Sequence, residues 1–332
     1  MKRKFKVALV GCGTISYVHL ISLLNVSGVE IVALCDVKRE RAEASAKEYV
    51  PNARIYTDFS EMLENEALDA VHVCTPHFLH SKMTVAALKK DVNVFLEKPM
   101  CISLSEIEEM LEAEKKSRAK ACVCFQNRFN DSYLYAKDLI EKSGEKFDAY
   151  ATVFWHRSEE YYLESDWRGK WETEGGGVMI NQAIHTLDIL TSLLGNPKSL
   201  TGTVANHHLK NVIEVEDTAE ALVEFDSGAK ANFYVTTAAA APDTTYVVLK
   251  SKSYRIEIRS SELFVNGEKI PFPAEESLIG KDYYGTRHPK LIQEFYKRID
   301  TGDDSPVSLE SAARVIKLIL ATYASHDKKI MI

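Results

Sequence analysis

Over the first 125 residues, short unbroken apolar runs alternate with segments of helical spacing. The runs are Phe5–Val10, Val29–Cys35, Leu68–Cys74, Val92–Leu96 and Ala121–Phe125; the helical segments are Ile15–Leu24, Arg39–Tyr49, Phe59–Glu64, Ser81–Lys90 and Ser103–Ser117. Strands that stay apolar on both faces belong to parallel sheets covered by helices on each side. This alternation predicts a doubly wound α/β domain over residues 1–125.

Beyond residue 125 the pattern changes. A helix is expected at Asp131–Lys142, a strand at Phe147–Trp155 and a polar, aromatic loop at His156–Thr173. From Val178 to Leu194 the chain carries no Lys, Arg or Glu, and its apolar residues follow helical spacing, so one mostly buried helix is expected there, ending at Gly195. Strands are expected at Leu200–Asn206, Thr218–Phe225, Ala229–Thr237, Thr245–Lys250, Tyr254–Ile258 and Leu263–Val265, with hairpin turns at Asp226–Gly228 and Asn266–Gly267. Helices at His288–Asp300 and Ser308–Ser325 close the chain. Residues 126–332 thus read as an α+β domain with a mostly antiparallel open sheet, its C-terminal helix free to pack back on the first domain.

Charge narrows the functional classes. The 332 residues hold 41 basic and 48 acidic side chains, a net charge of −7, with no basic patch, which argues against nucleic acid as a partner. No apolar run approaches the roughly 20 residues of a membrane span, and the basic N-terminus leads straight into a strand pattern rather than a signal peptide. A cytoplasmic location is the expectation. All six cysteines fall within the first 124 residues, mostly in apolar runs, as buried reduced thiols would. No recognisable ligand spacing surrounds them, so no metal is expected.

The candidate chemistry lies at strand ends. The first strand runs into Gly11-Cys-Gly13-Thr14-Ile15-Ser16 and then a helix, the arrangement by which backbone N–H groups and a helix N-terminus receive a pyrophosphate in Rossmann domains. Ser16 stands where that fingerprint has its third glycine. Asp36, at the end of the second strand, would accept hydrogen bonds from an adenosine ribose and repel a 2′-phosphate, favouring NAD; Lys38 and Arg39 beside it leave NADP open. Alternatively, Asp36 caps the next helix. The third and fourth strands end in Cys74-Thr75-Pro76-His77-Phe-Leu-His80 and Leu96-Glu97-Lys98-Pro99. Lys98, restrained by its proline neighbour, could hydrogen-bond a substrate hydroxyl and stabilise charge developing on it; a salt bridge to Glu97 is the structural alternative.

Within residues 174–188, three glycines precede Asn181, His185 and Asp188 at i, i+4 and i+7, on one stripe of the expected helix. They are either a hydrogen-bonded core histidine with helpers or groups facing a ligand. The loop Tyr161–Trp171 combines Trp and Tyr with Arg and Asp, the side chains that hold sugar rings and their hydroxyls.

These motifs, with Gln126-Asn127-Arg128-Phe129, resemble the Gfo/Idh/MocA family of oxidoreductases over most of the chain. The resemblance implies a Rossmann domain, a second α/β domain whose open sheet often forms the oligomer interface, and hydride transfer between a nicotinamide and a carbinol carbon of a sugar, cyclitol or derivative. It implies Lys98 as the catalytic lysine, His185 as acid/base, and Asn181 where the family often has Asp. The expected cofactor residues are Gly11, Gly13, Thr14, Ile15, Asp36, Thr75, Pro76, His80, Glu97, Lys98, Asn127 and Arg128. The expected substrate residues are Lys98, Tyr162, Trp167, Arg168, Asn181 and His185. Asp188 is either an orienter of His185 or structural. A homodimer or homotetramer is expected. An aromatic trans-dihydrodiol dehydrogenase, an NAD-dependent glycosidase and a non-catalytic dinucleotide sensor are the competing readings.

Overall fold

The computed structural model describes residues 4–241, 245–273 and 287–332. Its contacts divide the chain into two units. The first comprises the described residues of Met1–Cys101, Ser105–Gln126 and Glu276–Glu310; the second comprises those of Ile102–Leu104, Asn127–Glu275 and Ser311–Ile332.

In the first unit β1 (Phe5–Val10), α1 (Ser16–Leu24), β2 (Val29–Cys35), α2 (Arg39–Tyr49), β3 (Arg54–Tyr56), α3 (Phe59–Asn65), β4 (Ala70–Val73), α4 (His77–Leu88), β5 (Asn93–Leu96), α5 (Leu104–Lys116) and β6 (Ala121–Val123) follow in order. The six strands are parallel in the order β3-β2-β1-β4-β5-β6, the doubly wound arrangement. The apolar runs are its buried strands. All four residues of β4 are buried, as are Val94, Phe95 and Leu96 of β5. The short, half-buried edge strand β3 has no apolar run to announce it, so the pattern missed it. Helix α4 begins at His77, four residues earlier than expected, because Pro76 supplies an extended N-cap. All six cysteines are buried and none is in a disulfide.

The second unit contains a single helical turn at Gln126–Phe129, then α6 (Asp131–Ser143), β7 (Asp148–Phe154), α7 (Glu159–Leu163), α8 (Val178–Asn181), α9 (Ile184–Leu194), β8 (Pro197–Ala205), β9 (Thr218–Phe225), β10 (Lys230–Thr236), β11 (Tyr246–Lys250), β12 (Arg255–Arg259), β13 (Glu262–Val265) and β14 (Glu268–Ile270). α10 (His288–Thr301) packs on α1 in the first unit. α11 (Leu309–Ser325) and β15 (Ile330–Met331) end the chain, and β15 pairs with β8. The sheet order is β14-β13-β12-β11-β7-β10-β9-β8-β15, antiparallel except for the β7–β10 pair. Strands β7, β9 and β10 alternate buried and less buried residues, as in a sheet covered on one face.

The continuous helix expected over Val178–Leu194 is two helices. The Ala183 N–H bonds to the Val178 carbonyl, five residues back, while Asn181 and Gln182 bond four residues back. This widened turn breaks α8 from α9 and shifts the phase of everything after it.

Candidate functional site

Gly11 has φ +88°, and a Cβ there would lie 2.5 Å from the Cys74 carbonyl oxygen at the end of β4, so only glycine fits. A Cβ on Gly13 would meet nothing within 4 Å, so that side of the turn is open. No side chain caps α1 and its first turn holds no acid, which leaves the positive helix end to an anion. The Ser16 hydroxyl donates to the Gly13 carbonyl at 2.7 Å, tightening the turn from the position where the fingerprint has glycine. The Asp36 carboxylate is buried and accepts from the Cys12 N–H and the Lys38 N–H, each at 2.8 Å. These bonds tie the end of β2 to the glycine turn. They use two of about four lone-pair positions, so the residues present fit a dinucleotide at this end of the sheet.

The neighbouring strand ends are braced to each other. Both ring nitrogens of buried His80 face backbone carbonyls, Nδ1 that of Pro99 at 2.6 Å and Nε2 that of Thr75 at 2.8 Å. His80 is therefore a clamp between the Thr75-Pro76 and Lys98-Pro99 segments, and the Lys98–Pro99 peptide is cis. Burial pushes the His80 pKa down, against the two carbonyls. Buried Glu97 folds back so that its Oε2 accepts from the Lys98 N–H at 3.2 Å, while Oε1 lies 2.8 Å from His19 Nε2. Burial would raise its pKa. The His19 hydrogen bond and the neighbouring His19, His288 and Lys98 side chains more than reverse this, holding the carboxyl well below the usual range.

In the second unit the glycine turn is built on Glu216, a residue sequence reasoning passed over. Its buried carboxylate accepts from the Gly177 N–H at 2.8 Å, the Met179 N–H at 3.0 Å and the Tyr323 hydroxyl at 3.1 Å. Burial nonetheless pushes its pKa up to about 7. Any side chain on Gly177 would collide with the Glu216 carbonyl oxygen. Glu174, also missed, is fully buried and accepts from the Gly169 N–H and from Asn181 Nδ2, each at 2.5 Å. From Glu174 to Thr191 every residue is buried except Asn181 and His185, which are partly exposed.

Asp188 does not share their open side. It is buried and takes a bidentate pair from Arg128, Nη2 at 2.6 Å and Nε at 2.8 Å, while Arg128 Nη1 donates to the Ser311 hydroxyl. Arg128, expected by the nicotinamide, thus ties the turn after Gln126 to α9 and α11; Asn127 lies beside it in that turn. Tyr162, expected to touch substrate, packs inward with Leu209, Ile213 and Val215. Its neighbour Tyr161 takes the outward role: its hydroxyl lies 3.4 Å from the Asn181 and Gln182 amide nitrogens. Arg157 stacks over Trp155 and Tyr161 at 5.0 and 4.9 Å, and Arg168 over Tyr161 and Trp167 at 4.2 and 5.4 Å. The outcome is a ladder of alternating rings and guanidinium groups.

A glycine turn backed by a buried acid at the end of a doubly wound parallel sheet is the arrangement of dinucleotide-binding domains. The sequence model of an oxidoreductase family with an NAD-binding Rossmann fold matches residues 5–125, and that of the GFO/IDH/MocA C-terminal domain matches residues 133–258. The chain belongs to the GFO/IDH/MocA family. It is 34% identical to the inositol 2-dehydrogenase of Salmonella typhimurium over 142 residues, 42% of this chain and 42% of that enzyme, so the match spans under half of that relative. It is 30% identical over 233 residues to the scyllo-inositol 2-dehydrogenase (NAD(+)) of Bacillus subtilis, covering 69% of this chain and 66% of that one. Among solved structures, the WlbA dehydrogenase of Bordetella pertussis, in complex with NADH and UDP-GlcNAcA, matches with a TM-score of 0.89 and 26% identity over 100% of this chain and 99% of that one. No described helix is long and apolar enough to cross a membrane.

Proposed function

We propose that this chain is an NAD-dependent dehydrogenase that oxidises a carbinol carbon of a sugar, cyclitol or sugar derivative, or reduces the matching ketone. The observation that carries the reading is the emergence of Asn181 and His185 alone from an otherwise buried stretch, in a chain whose first unit has a glycine turn open at Gly13 and a lysine two residues after β5. The relatives named for inositol oxidation support it.

NAD, when bound, would supply the hydride acceptor, which leaves the protein to take the carbinol proton and to stabilise the charge developing on the oxygen. The Lys98 ammonium hydrogen-bonds the carbinol oxygen and stabilises negative charge developing there. His185 takes the hydroxyl proton as neutral imidazole. Asn181, its amide held by Glu174 and Tyr161, orients a hydroxyl but supplies no charge of its own. Trp167, Arg168 and the rest of the ladder read the remainder of the substrate. Among the described residues neither Arg157 nor Arg168 pairs with a carboxylate, and both carry a buried Nε–H without an acceptor. Two such cations beside Asn181 favour an acidic sugar over a neutral one. The open face of the second sheet, with Leu222 and Tyr234 exposed, is assigned to a homodimer or homotetramer interface.

The test is NADH formation, followed by absorbance, with NAD or NADP and a panel of inositols, aldoses, sugar acids and aromatic diols, with Lys98→Ala alongside. Turnover of one class, lost in the variant, supports the reading. Tight NADH binding without turnover on any class overturns it in favour of a sensor, or of a glycosidase that shows no net NADH.

A further inference from the structure

A chain of buried polar side chains runs through the first unit without a place in the mechanism above. Tyr296 on α10 lies 2.9 Å, hydroxyl oxygen to Nε2, from His72 on β4. His72 Nδ1 lies 2.8 Å from His19 Nδ1 on α1, and His19 Nε2 lies 2.8 Å from Glu97 Oε1. All four residues are at most 6% exposed, and the rings of Phe95 and Phe295 pack around them. Polar groups interrupt the apolar runs of α1 and β4 only to meet one another.

Hydrogen-bond accounting fixes the direction of this chain. An ionised carboxylate can only accept, so His19 donates from Nε2 and its Nδ1 is an acceptor. His72 must then carry its proton on Nδ1, which leaves its Nε2 to accept from the Tyr296 hydroxyl. Every N–H and O–H in the chain then has an acceptor. Run the other way, with an imidazolium at His19, His72 would donate to Tyr296. The Tyr296 O–H would then be a buried donor with no acceptor among the described residues, a costly arrangement. Burial likewise pushes the His72 pKa well down and the Tyr296 pKa well up, so both stay neutral.

We propose that Tyr296, His72 and His19 are positioning residues for Lys98: a one-way hydrogen-bond chain that keeps Glu97 charged beside the lysine and pins the lysine backbone through the Glu97 side chain. The proposal rests on the reading of Lys98 as the group that activates the substrate. The groups facing Glu97 are His19 from α1, His288 from α10 at 3.7 Å, Lys98, and the thiols of Cys74 and Cys124 after β4 and β6. Burial pushes both thiols well up, so they add no charge. His19, Glu97 and Cys124 also offer three ligand-type atoms within 4.8 Å of one another. The 2.8 Å His19–Glu97 separation is that of a shared proton, however; two ligands at tetrahedral angles around zinc sit roughly 3.4 Å apart, given bonds of about 2.1 Å.

The test needs no substrate. The ¹⁵N spectra of His19 and His72 in the full-length protein should show His19 protonated at Nε2 and His72 at Nδ1, unchanged across neutral pH. The proton affinity of Lys98 is read by trace acylation of its amine against pH, quantified by mass spectrometry. In His19→Leu, Glu97 loses its donor and tends to protonate, so the Lys98 titration should move down by about one unit. His19→Gln, whose amide can still donate to Glu97, should restore it. NADH binding confirms that each variant is folded. An unmoved Lys98 titration in a folded His19→Leu protein, or His72 protonated at Nε2, would overturn the proposal. So would a stoichiometric metal ion in the purified protein that is lost in His19→Gln. Failure of the underlying reading is separate: no substrate class is turned over, or Lys98→Ala leaves turnover intact, while the spectra and the Lys98 titration stand as stated.

Discussion

Replacing Arg128 with Met probes the anchor of α9 and should produce a loss of stability that depends on pH. The Arg128 and Asp188 side chains are 11% and 1% exposed and share two hydrogen bonds at 2.6 and 2.8 Å. Removing one partner of such a pair strands a buried charge, which costs about 3–5 kcal/mol. Burial already pushes the Asp188 pKa up, and Arg128 and Arg314 oppose it. Without Arg128 the folded carboxyl rises further above its unfolded value, so Asp188 stabilises the fold only while protonated. The stability it contributes is present at low pH and lost as pH rises through the raised pKa. The deficit of Arg128→Met should be full near pH 8 and much smaller near pH 5. Trp155, Trp167 and Trp171 all lie in the second unit, so intrinsic fluorescence during urea unfolding reports the right part of the molecule. The double variant Arg128→Met/Asp188→Asn should be more stable at pH 8 than Arg128→Met alone. Equal deficits at both pH values, or strict additivity in the double variant, would refute the account.

Three further outcomes are expected. Gly177→Ala must displace the Glu216 carbonyl or the turn, and should destabilise the protein by at least about 2 kcal/mol in scanning calorimetry; an unchanged melting temperature contradicts the packing described. Glu216, raised from 4.5 to about 7 by burial, contributes stability that is full below about pH 4.5 and lost as pH rises through 7, at most about 3 kcal/mol. Glu216→Gln should flatten that slope in denaturation curves taken across this range. Asp36→Ala leaves the Cys12 and Lys38 N–H groups without their acceptor, and should weaken NADH binding at least tenfold by fluorescence titration while costing about 1–3 kcal/mol of stability.

The first unit was largely legible because its strands are buried on both faces and so read as apolar runs. Only β3, half-buried at the edge, escaped. The glycine turn was legible because backbone constraint, the positive φ and close approach at Gly11, leaves a mark in residue type. The second unit was harder to read at its site. The widened turn at Ala183 has no residue signature, so the helix read as continuous and Asp188 was aligned with His185 when it faces Arg128. Tyr161 and Tyr162 are adjacent aromatics that point opposite ways, and composition cannot rank them. Glu174 and Glu216 act through backbone amides that are distant in sequence or folded back in a turn. Glu174 left one hint, an acid set directly against the glycine triplet, while Glu216 sits among other acids and left none.

The position of α10 has a consequence for how the protein is made. Tyr296 closes a hydrogen bond to His72 across 224 residues of sequence, and α10 lies on α1 although strands β7 to β14 of the second sheet intervene in the chain. Nascent domains usually fold in the order in which they leave the ribosome. Here the leading 125 residues emerge with His72 lacking its hydroxyl donor and α1 lacking its cover. The first unit to begin synthesis therefore stays incomplete until α10, about 160 residues later, has emerged. A ribosome stalled after residue 125 should expose a loosely packed, protease-sensitive intermediate, and a genetic cut between the two sequence halves yields a fragment short of one helix rather than a domain.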